Sequence, residues 1–278
     1  MEPFVVALIL FSALMHSGWN ALVKLKDDPL VMLASIAATA MLLTLPVVFF
    51  VPFPTADVWS YLLTSMALHT VYNLFLYAGY RHGDLGQVYP VARGVAPLLV
   101  ACVAPFAAGE SMSTPTLAGV LLIAGGVASL AFAGSTPLRE NPRPVLYALL
   151  AALFIASYTT VDGLGARRAE SAHSYIAWLF VLDGIPLSII TLGMRGRHAI
   201  DWIKGNWIRG TAGGAMSVVG YWLVVWALSI GTLAPVAALR EVGVIFAAIF
   251  AAVVLKERFG PRRTLAACLV AAGAIMLR

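Results

Sequence analysis

Apolar stretches of the length that crosses a bilayer recur along the whole 278-residue chain. A membrane-spanning helix needs about 20 predominantly apolar residues, because its backbone polar groups must all be satisfied within the lipid. Hydrophobic residues make up 61% of the chain and charged residues 11%, against about 25% charged residues in soluble domains. The sequence therefore predicts an all-α integral membrane protein.

Ten apolar segments, separated by short connections rich in proline, glycine or charge, are predicted to span the membrane. Their approximate bounds are 4–23, 30–51, 58–80, 88–108, 116–133, 144–162, 174–193, 207–229, 232–255 and 261–277. The longest polar connection lies between the fifth and sixth segments. We therefore divide the chain into a first five-helix unit (1–134), a connecting loop (135–142) and a second five-helix unit (143–278).

Two arginines inside apolar segments indicate an internal repeat. Arg93 lies in the fourth segment and Arg240 in the ninth, and subtracting 93 from 240 gives an offset of 147 residues. The same offset relates Glu110 to Glu257. Coincidences among scarce charged residues are informative, whereas coincidences among the abundant apolar residues are not. Because each unit has an odd number of spans, the second unit must enter the membrane in the opposite sense, which predicts two inverted five-helix repeats.

Four charged side chains lie well inside predicted spans: Arg93, Asp183, Arg240 and Glu241. A charge exposed to lipid at that depth costs about 2.5–3.5 kcal/mol on insertion scales. We therefore expect these side chains to face the interior of the helix bundle or a watery cavity. Two explanations are open at this stage. The charges pair only with each other, for instance Arg240 with Asp183, or the two arginines line a cavity that receives an anionic group.

Helical spacing gathers further polar and aromatic side chains at membrane depth. The candidate substrate-binding residues are Arg93, Arg240 and Glu241, together with His16, Trp19, Asn20, His69, Asn73, Tyr77, Tyr89, Tyr158, Tyr221, Trp222 and Trp226. The candidates for coupling an ion are Asp183 and Glu241. Ordinary helix packing and anchoring at the membrane interface also produce aromatic stripes, so they are the alternative explanation for each stripe.

The placement of lysine and arginine predicts the orientation of the chain. The odd-numbered loops hold thirteen of these residues, and the even-numbered loops hold only Arg167 and Arg168. The odd-numbered loops are therefore predicted to be cytoplasmic and both termini to lie outside. The net charge of +5 is spread over short loops, so it does not predict a nucleic-acid-binding surface.

One motif is similar to part of an enzyme site. The stretch Asp162-Gly163-Leu164-Gly165-Ala166-Arg167 matches the core of the motif of membrane CDP-alcohol phosphotransferases. That family also needs further carboxylates, but this chain has Thr159 at one of the positions and only Asp183 downstream. Without a carboxylate cluster no divalent metal is held. We therefore predict a protein that is not an enzyme, and neither cysteine has the spacing of a metal or haem site.

The chain resembles the drug/metabolite transporter superfamily, EamA type, over its whole length. The local marks are His16 to Lys24, Tyr89 to Gly94, Leu239-Arg240-Glu241, and Lys256-Glu257-Arg258 followed by Gly260. The Gly-Glu pair that often precedes the fifth span of a repeat is kept as Gly109-Glu110 but is Lys256-Glu257 in the second unit. The resemblance implies a secondary transporter of the inner (plasma) membrane. It implies a central cavity lined mainly by spans one, three, four, six, eight and nine, and no cofactor.

The leading hypothesis is a secondary transporter for a small anionic or zwitterionic metabolite, such as an amino acid or an organophosphonate. Arg93 and Arg240 would hold its acidic group, because guanidinium groups match carboxylate and phosphonate oxygens. Glu241 or Asp183 would pair with an amine or take a coupling proton. The expected partners are the substrate, a coupling proton and membrane lipid, for a monomer or a homodimer. The alternatives are a non-transporting membrane scaffold or assembly partner, and a lipid flippase.

Overall fold

The computed structural model describes residues 2–23, 28–82, 85–130, 142–246 and 261–277, and within these ranges the chain is all-helical. Its α-helices are α1 (Pro3–Val23), α2 (Pro29–Thr44), α3 (Ala56–His82), α4 (Leu85–Ala108), α5 (Thr114–Ser129), α6 (Arg143–Arg168), α7 (Ala172–Arg195), α8 (Arg197–Gly205), α9 (Trp207–Ile230), α10 (Leu233–Arg240) and α11 (Pro261–Met276). The predicted all-α class is confirmed. Several sequence features lie outside the described residues: Lys24, Lys26, Arg139, residues 256–260 with Glu257, and most of the loop 135–142.

Six helical segments in the described ranges are long and apolar enough to cross a membrane. They are Pro3–Asn20, Pro29–Phe49, Val88–Ala108, Arg143–Arg168, Ala172–Arg195 and Trp207–Ile230. Large apolar side chains such as Phe4, Phe106 and Ile189 are exposed on the outer surface, as expected where lipid covers a protein. These segments define an integral membrane protein. The third predicted span, 58–80, lies within α3, which is 27 residues long but has polar residues along it that lower its mean hydropathy.

Proline and short polar side chains set the ends of several helices. Asp28 caps α2 by accepting a hydrogen bond from the Leu30 backbone N–H at 3.1 Å, and Pro29 occupies the first helical position. The second span was predicted to continue as helix to residue 51, but α2 ends at Thr44. Pro46 follows two residues later and cannot donate a backbone hydrogen bond, so the chain continues as a short 3-10 turn over Val47–Phe49.

The ninth predicted span is not one regular α-helix. Its helix α10 ends at Arg240, and the next two backbone N–H groups bond three residues back rather than four. Glu241 donates to the Ala238 carbonyl at 2.9 Å, and Val242 donates to the Leu239 carbonyl at 3.1 Å. Such a tight turn inside a helix redirects the chain and is frequent at hinges. Arg240 therefore lies at a break in the backbone.

The break is stabilised by α1. The Ser17 hydroxyl donates to the Gly243 carbonyl oxygen at 2.6 Å, so a backbone acceptor close to the break has a partner on α1. A Cβ atom at position 243 would lie 2.9 Å from the Ala13 carbonyl oxygen, so glycine permits this close approach. The first unit behaves differently, because α4 remains helical through Arg93 even though it contains three prolines.

The connection predicted between the seventh and eighth spans contains a further short helix, α8. Its residues alternate between exposed polar side chains such as Asp201 and Lys204 and partly buried ones such as Trp202. Trp202 packs against a cluster formed mainly by α1 and α2. A helix with one apolar and one charged side is suited to the interface between lipid and water.

Small residues let the long helices approach each other closely. On α9, a Cβ atom added to Gly214 would lie 2.5 Å from the Thr39 Cβ, and one added to Gly213 would lie 2.9 Å from Ile36 on α2. This is the packing expected for glycines spaced along a membrane helix. The buried charged side chains lie on α4, α6 and α10 and directly after α10: Arg93, Asp162, Arg240 and Glu241.

Candidate functional site

The predicted substrate residues Arg93, Arg240 and Glu241 form one buried cluster, named here the arginine cluster. The Arg93 Nε donates to Glu241 Oε2 at 2.7 Å, and the Arg240 Nε lies 3.8 Å from Glu241 Oε1. All three side chains are only 2% exposed. The tight turn after α10 places Glu241 beside its neighbour Arg240 and opposite Arg93 on α4.

Three guanidinium nitrogens of the arginine cluster are buried and have no hydrogen-bond partner among the described residues. They are Arg93 Nη1, Arg240 Nε and Arg240 Nη1. The Arg240 Nη2 donates to the Tyr158 hydroxyl at 3.3 Å. A buried donor without a partner costs about 1–3 kcal/mol, and more when it is charged. The cluster therefore has spare donors for a ligand with several acceptor oxygens.

Aromatic rings cover both guanidinium groups. The Arg93 Cζ lies 6.0 Å from the centre of the Tyr89 ring, and the Arg240 Cζ lies 5.7 Å from the centre of the Tyr221 ring. A ring face attracts a cation without using its hydrogen-bond donors. The rings therefore hold the arginines in place while leaving their N–H groups available.

A second buried network is centred on Asp162, which is fully buried on α6, and is named here the aspartate cluster. Its carboxylate accepts hydrogen bonds from three hydroxyls: Ser65 at 2.5 Å, Tyr175 at 2.9 Å and Tyr221 at 2.5 Å. In the sequence, Asp162 stands out only as part of an enzyme-like motif. A signal was present, because Asp162 follows the candidate Tyr158 by four residues and so shares its helix face.

His69 joins the aspartate cluster to Asp183 on α7. Its Nδ1 lies 3.0 Å from Asp183 Oδ2, and its Nε2 lies 3.8 Å from Asp162 Oδ2. The Tyr158 ring lies against the imidazole with a centroid distance of 3.9 Å. Asp183 therefore pairs with His69, whereas Arg240, the partner suggested for it from the sequence, pairs with Glu241 and Tyr158.

Four further predicted residues lie on α1 and α3 beside these clusters: His16, Trp19, Asn20 and Asn73. The Trp19 Nε1 donates to His16 Nδ1 at 3.2 Å, and the Asn20 side chain donates to the His16 carbonyl at 2.8 Å. His16 is close enough to Arg93 and Arg240 to be affected by their charges. Asn73 donates to the carbonyl of His69 at 2.9 Å. These polar side chains thus bond within their own helices.

Tyr77, Trp222 and Trp226 make their contacts elsewhere. The Tyr77 hydroxyl accepts a hydrogen bond from Arg195 Nη2 at 2.9 Å near the ends of α3 and α7. Trp222 donates to His173 Nδ1 at 3.0 Å. Trp226 packs beside Trp222 against the cluster that includes Tyr175 and Phe180. The structure therefore separates these three residues from the arginine cluster, although they share helices with residues that line it.

Two ion pairs join the predicted units near the ends of helices. The first joins Arg195 at the end of α7 to Asp28 before α2, through Nε and Oδ2. Burial disfavours ionisation of Asp28, but the hydrogen bond and charge of Arg195 outweigh it, so the pKa of Asp28 is lowered from its ordinary value. This pair is accessible to solvent.

The second ion pair has more hydrogen bonds. At the end of α6, Arg167 Nη2 donates to Glu110 Oε1 at 2.7 Å and to the Gly231 carbonyl at 2.6 Å, while its Nε donates to the Leu228 carbonyl at 2.9 Å. The Leu233 backbone N–H donates to Glu110 Oε2 at 2.8 Å, which caps α10. Glu110 therefore links the loop between α4 and α5 to the loop between α9 and α10.

Charged groups buried inside a bundle of apolar helices are typical of membrane proteins that move solutes or ions. Comparison with known families gives the particular class. Residues 142–278 match the sequence model of the EamA-like transporter family. The chain belongs to this family, which is part of the drug/metabolite transporter superfamily, and the predicted resemblance is confirmed. The protein is therefore a membrane transporter of the drug/metabolite type.

The likeness of fold extends over the whole chain. One solved crystal structure superimposes with a TM-score of 0.80, covering 99% of this chain and 96% of the other, at 15% sequence identity. At this identity the likeness concerns the fold alone. No curated protein sequence matches the chain.

Proposed function

We propose that the protein is a secondary transporter that carries a small anionic or zwitterionic metabolite, such as an amino acid or an organophosphonate, across the inner (plasma) membrane. The observation that carries this proposal is the set of unpartnered nitrogens on Arg93 and Arg240. Two guanidinium groups that converge on Glu241 present several N–H donors to one region. Carboxylate and phosphonate groups have the oxygen geometry that such donors fit.

A carboxylate acceptor nearby supports a zwitterionic substrate. The Asp183 Oδ1 is buried and has no hydrogen-bond partner among the described residues. The Asp183 side chain is 20% exposed, whereas the two arginines are 2% exposed, so it is the more accessible charged group. An ammonium group needs such an acceptor when it leaves water. We therefore assign the acidic end of the substrate to the arginine cluster and its amine to Asp183 or Glu241.

The proposal includes ten spans arranged as two inverted five-helix units. The packing of α5 against α11 supports it. A Cβ atom added to Gly126 would lie 3.0 Å from the Ala266 carbonyl oxygen, and one added to Gly273 would lie 2.6 Å from the Gly119 carbonyl oxygen. The offset of 147 that relates the arginines also converts Gly126 to Gly273 and Gly119 to Ala266. Swapping the two units therefore converts each of these contacts into the other. This is expected if a two-fold axis relates the units.

Alternating access would work by rocking one unit against the other around the arginine cluster. With the odd-numbered loops cytoplasmic and both termini outside, the Asp28–Arg195 pair lies at the cytoplasmic end of the bundle. The Glu110–Arg167 pair then lies at the external end. Each pair joins the two units, so opening either end requires one of them to break.

If the protein were a non-transporting scaffold, the buried charged groups would have to be fully paired and hydrogen-bonded with each other. They are paired only in part, since Arg93 has one short bond to Glu241 and Arg240 has one bond of 3.3 Å to Tyr158. A purely structural pair has no use for donors left without a partner, because they lower stability. The geometry therefore favours solute binding.

The test begins with a thermal-shift screen of the purified protein against amino acids, organophosphonates and other small anions. A compound that binds the folded state raises its apparent stability. Compounds that do so are then assayed for uptake into proteoliposomes. Arg93→Ala and Arg240→Ala are expected to reduce uptake by about 100-fold or more, since each loses a charged interaction worth about 3 kcal/mol.

Two matched variants sharpen this assay. Arg168→Ala removes an exposed arginine at the end of α6 and is expected to transport normally. Arg93→Lys keeps the positive charge but loses the planar fork, so it is expected to bind the anion more weakly than the wild type. Wild-type rates of uptake by both Arg93→Ala and Arg240→Ala would refute the role assigned to the arginines.

A further inference from the structure

We infer that His69, held between Asp183 and Asp162, binds the coupling proton of this transporter. The inference rests on the proposed function, since a proton is coupled only to a solute that moves. His69 on α3 has one ring nitrogen 3.0 Å from Asp183 Oδ2 and the other 3.8 Å from Asp162 Oδ2. The imidazole thus has a carboxylate on each side, one from α7 and one from α6.

The number of donors on the ring favours a protonated state between these two carboxylates. A neutral imidazole has one N–H group, whereas the imidazolium ion has two. Only the protonated ring directs an N–H toward both Asp183 and Asp162. Proton binding at His69 therefore strengthens the connection between α3, α6 and α7, and proton release weakens it.

Asp162 and Asp183 differ in the number of hydrogen bonds that their carboxylates accept. Its carboxylate already accepts hydrogen bonds from Ser65, Tyr175 and Tyr221, which stabilise the ionised form. Asp183 has only His69 as its hydrogen-bonding partner in the described part of the chain, and its Oδ1 is free. Asp162 thus supplies a fixed negative charge, and His69 with Asp183 forms the pair on which a proton is gained and lost.

The charges of the two clusters balance when His69 carries a proton. The described network contains two guanidinium groups and three carboxylates, from Asp162, Asp183 and Glu241. With a neutral imidazole this network has one excess negative charge, and with an imidazolium it has none. Uncompensated charge is costly in a buried environment. A substrate anion beside the arginines adds negative charge, so it favours proton binding, and by reciprocity the proton favours the anion.

Two tyrosines connect the proton site to the arginine cluster. Tyr158 accepts a hydrogen bond from Arg240 at 3.3 Å while its ring lies 3.9 Å from the His69 ring. Tyr221 donates to Asp162 while its ring faces Arg240 at 5.7 Å. A change at Arg240 on substrate binding is therefore transmitted through rings that both clusters share. The predicted consequence is that proton and anion move in the same direction.

The groups that surround His69 set the design of the test. The titratable and charged side chains around it are Asp162 and Tyr158 from α6, Asp183 and Tyr175 from α7, Tyr221 from α9 and Arg240 from α10. The Asn variants of the two aspartates remove one negative charge each with little change of shape. The structure therefore offers isosteric variants of both carboxylate neighbours.

The test is an NMR titration of the full-length protein in lipid nanodiscs, with its five histidines labelled with ¹⁵N. The His69 signals are assigned by their loss in His69→Gln. We expect the His69 signals to change with pH as the ring gains and loses one proton. Asp183→Asn is expected to weaken proton binding at His69 by about tenfold or more, because the ring loses the anion that contacts it. The signals of His173 and His198 serve as internal controls, because Asp183→Asn should leave them the same as in the wild type.

Coupling is tested by repeating the titration with methylphosphonate, an anionic probe without an ammonium group. Where it binds, it is expected to tighten proton binding at His69 by about tenfold through added negative charge. Arg240→Ala should abolish this effect but leave the titration of His69 itself in place. If Asp162→Asn does not fold, Asp183→Asn alone decides the proton site.

The outcomes separate the two proposals. A His69 ring that keeps one protonation state over the whole range, or a titration unchanged by Asp183→Asn, overturns the proton site and leaves anion carriage standing. A titrating His69 together with no anion binding in any assay overturns the proposed function, and the coupling with it. Anion binding that leaves the His69 titration unchanged overturns the coupling alone.

Discussion

The arginine cluster and the aspartate cluster are both buried in the same helix bundle, but they differ in how completely their polar atoms are hydrogen-bonded. Asp162 has three hydroxyl donors on one carboxylate. Arg93 and Arg240 together leave three buried nitrogens without a partner in the described residues. A network whose groups are satisfied stabilises one structure, whereas a network with spare donors is stabilised further only by a ligand. The comparison therefore predicts that the aspartate cluster supports the fold and that the arginine cluster binds a ligand.

The largest expected effect is on stability, from Asp162→Ala. This change leaves the hydroxyls of Ser65, Tyr175 and Tyr221 without their acceptor and opens a space in α6. We expect the free energy of unfolding to fall by about 3–5 kcal/mol, as for other broken buried charge networks. Unfolding measured in detergent with increasing denaturant tests this value. A loss below about 1 kcal/mol would mean that the aspartate cluster does not support the fold.

Removing single donors tests the same network in smaller steps. Tyr221→Phe and Tyr175→Phe each delete one hydroxyl that donates to Asp162 and keep the ring. Each is expected to lower the free energy of unfolding by about 1.5–3 kcal/mol, the usual contribution of a hydrogen bond to a charged group. The two variants control for each other, because only the Tyr221 ring also faces Arg240. Tyr221→Phe should therefore alter anion binding more than Tyr175→Phe does.

Glu241→Gln tests whether the arginine cluster is a binding network. Glu241 occupies Arg93 Nε in the structure and so competes with an incoming anion. Replacing this carboxylate with an amide is expected to tighten anion binding by about tenfold, or 1.4 kcal/mol, while slowing release and hence turnover. Binding isotherms and uptake rates of the same preparation measure both effects. Weaker binding in Glu241→Gln would place Glu241 with the substrate's positive group instead.

The smallest effect is expected at the Asp28–Arg195 pair, which is partly exposed to solvent. Asp28→Asn should cost about 0.2–1 kcal/mol at neutral pH, since solvent screens the interaction. The pKa of Asp28 is lowered in the folded state by Arg195, against the effect of burial. The pair's stabilisation is therefore present above the unfolded-state pKa of about 3.9, and it is lost as the pH falls through the lower folded-state pKa.

The measurement for this pair is the difference in thermal unfolding between the wild type and Asp28→Asn at neutral pH and at about pH 3. The difference should shrink in acid and at high salt. Asp201→Asn on α8 is the matched control, because Asp201 is an exposed aspartate at the same end of α7. A difference that persists unchanged in acid would contradict a stabilisation by the charge of Asp28.

Some features of the site followed from the sequence with a physical reason. A charge inside an apolar segment has to be buried among helices, so the 2% exposure of Arg93, Arg240 and Glu241 follows from where they stand in the chain. Spacing by four placed His69 and Asn73 on one helix face. It did not identify Asp162, because its neighbours in the sequence pointed to an enzyme motif.

The sequence alone does not determine which side chains on different helices pair with each other. The pattern on one helix gives the face of a side chain but not the rotation and depth of the helix that meets it. Arg240 was therefore matched with Asp183, although the structure pairs it with Glu241 and Tyr158. For the same reason Tyr77 was grouped with the substrate residues, whereas its hydroxyl bonds to Arg195.

By itself the sequence determined the all-α class, the apolar helices that fit a membrane, and the family. These follow from composition, from the cost of burying polar groups in lipid, and from motifs of a few residues. Only the tertiary structure decided the break of the backbone at Arg240, the three hydroxyls on Asp162, and the place of His69 between two carboxylates. Those features depend on contacts between residues far apart in the chain, and such contacts exist only once the helices have packed.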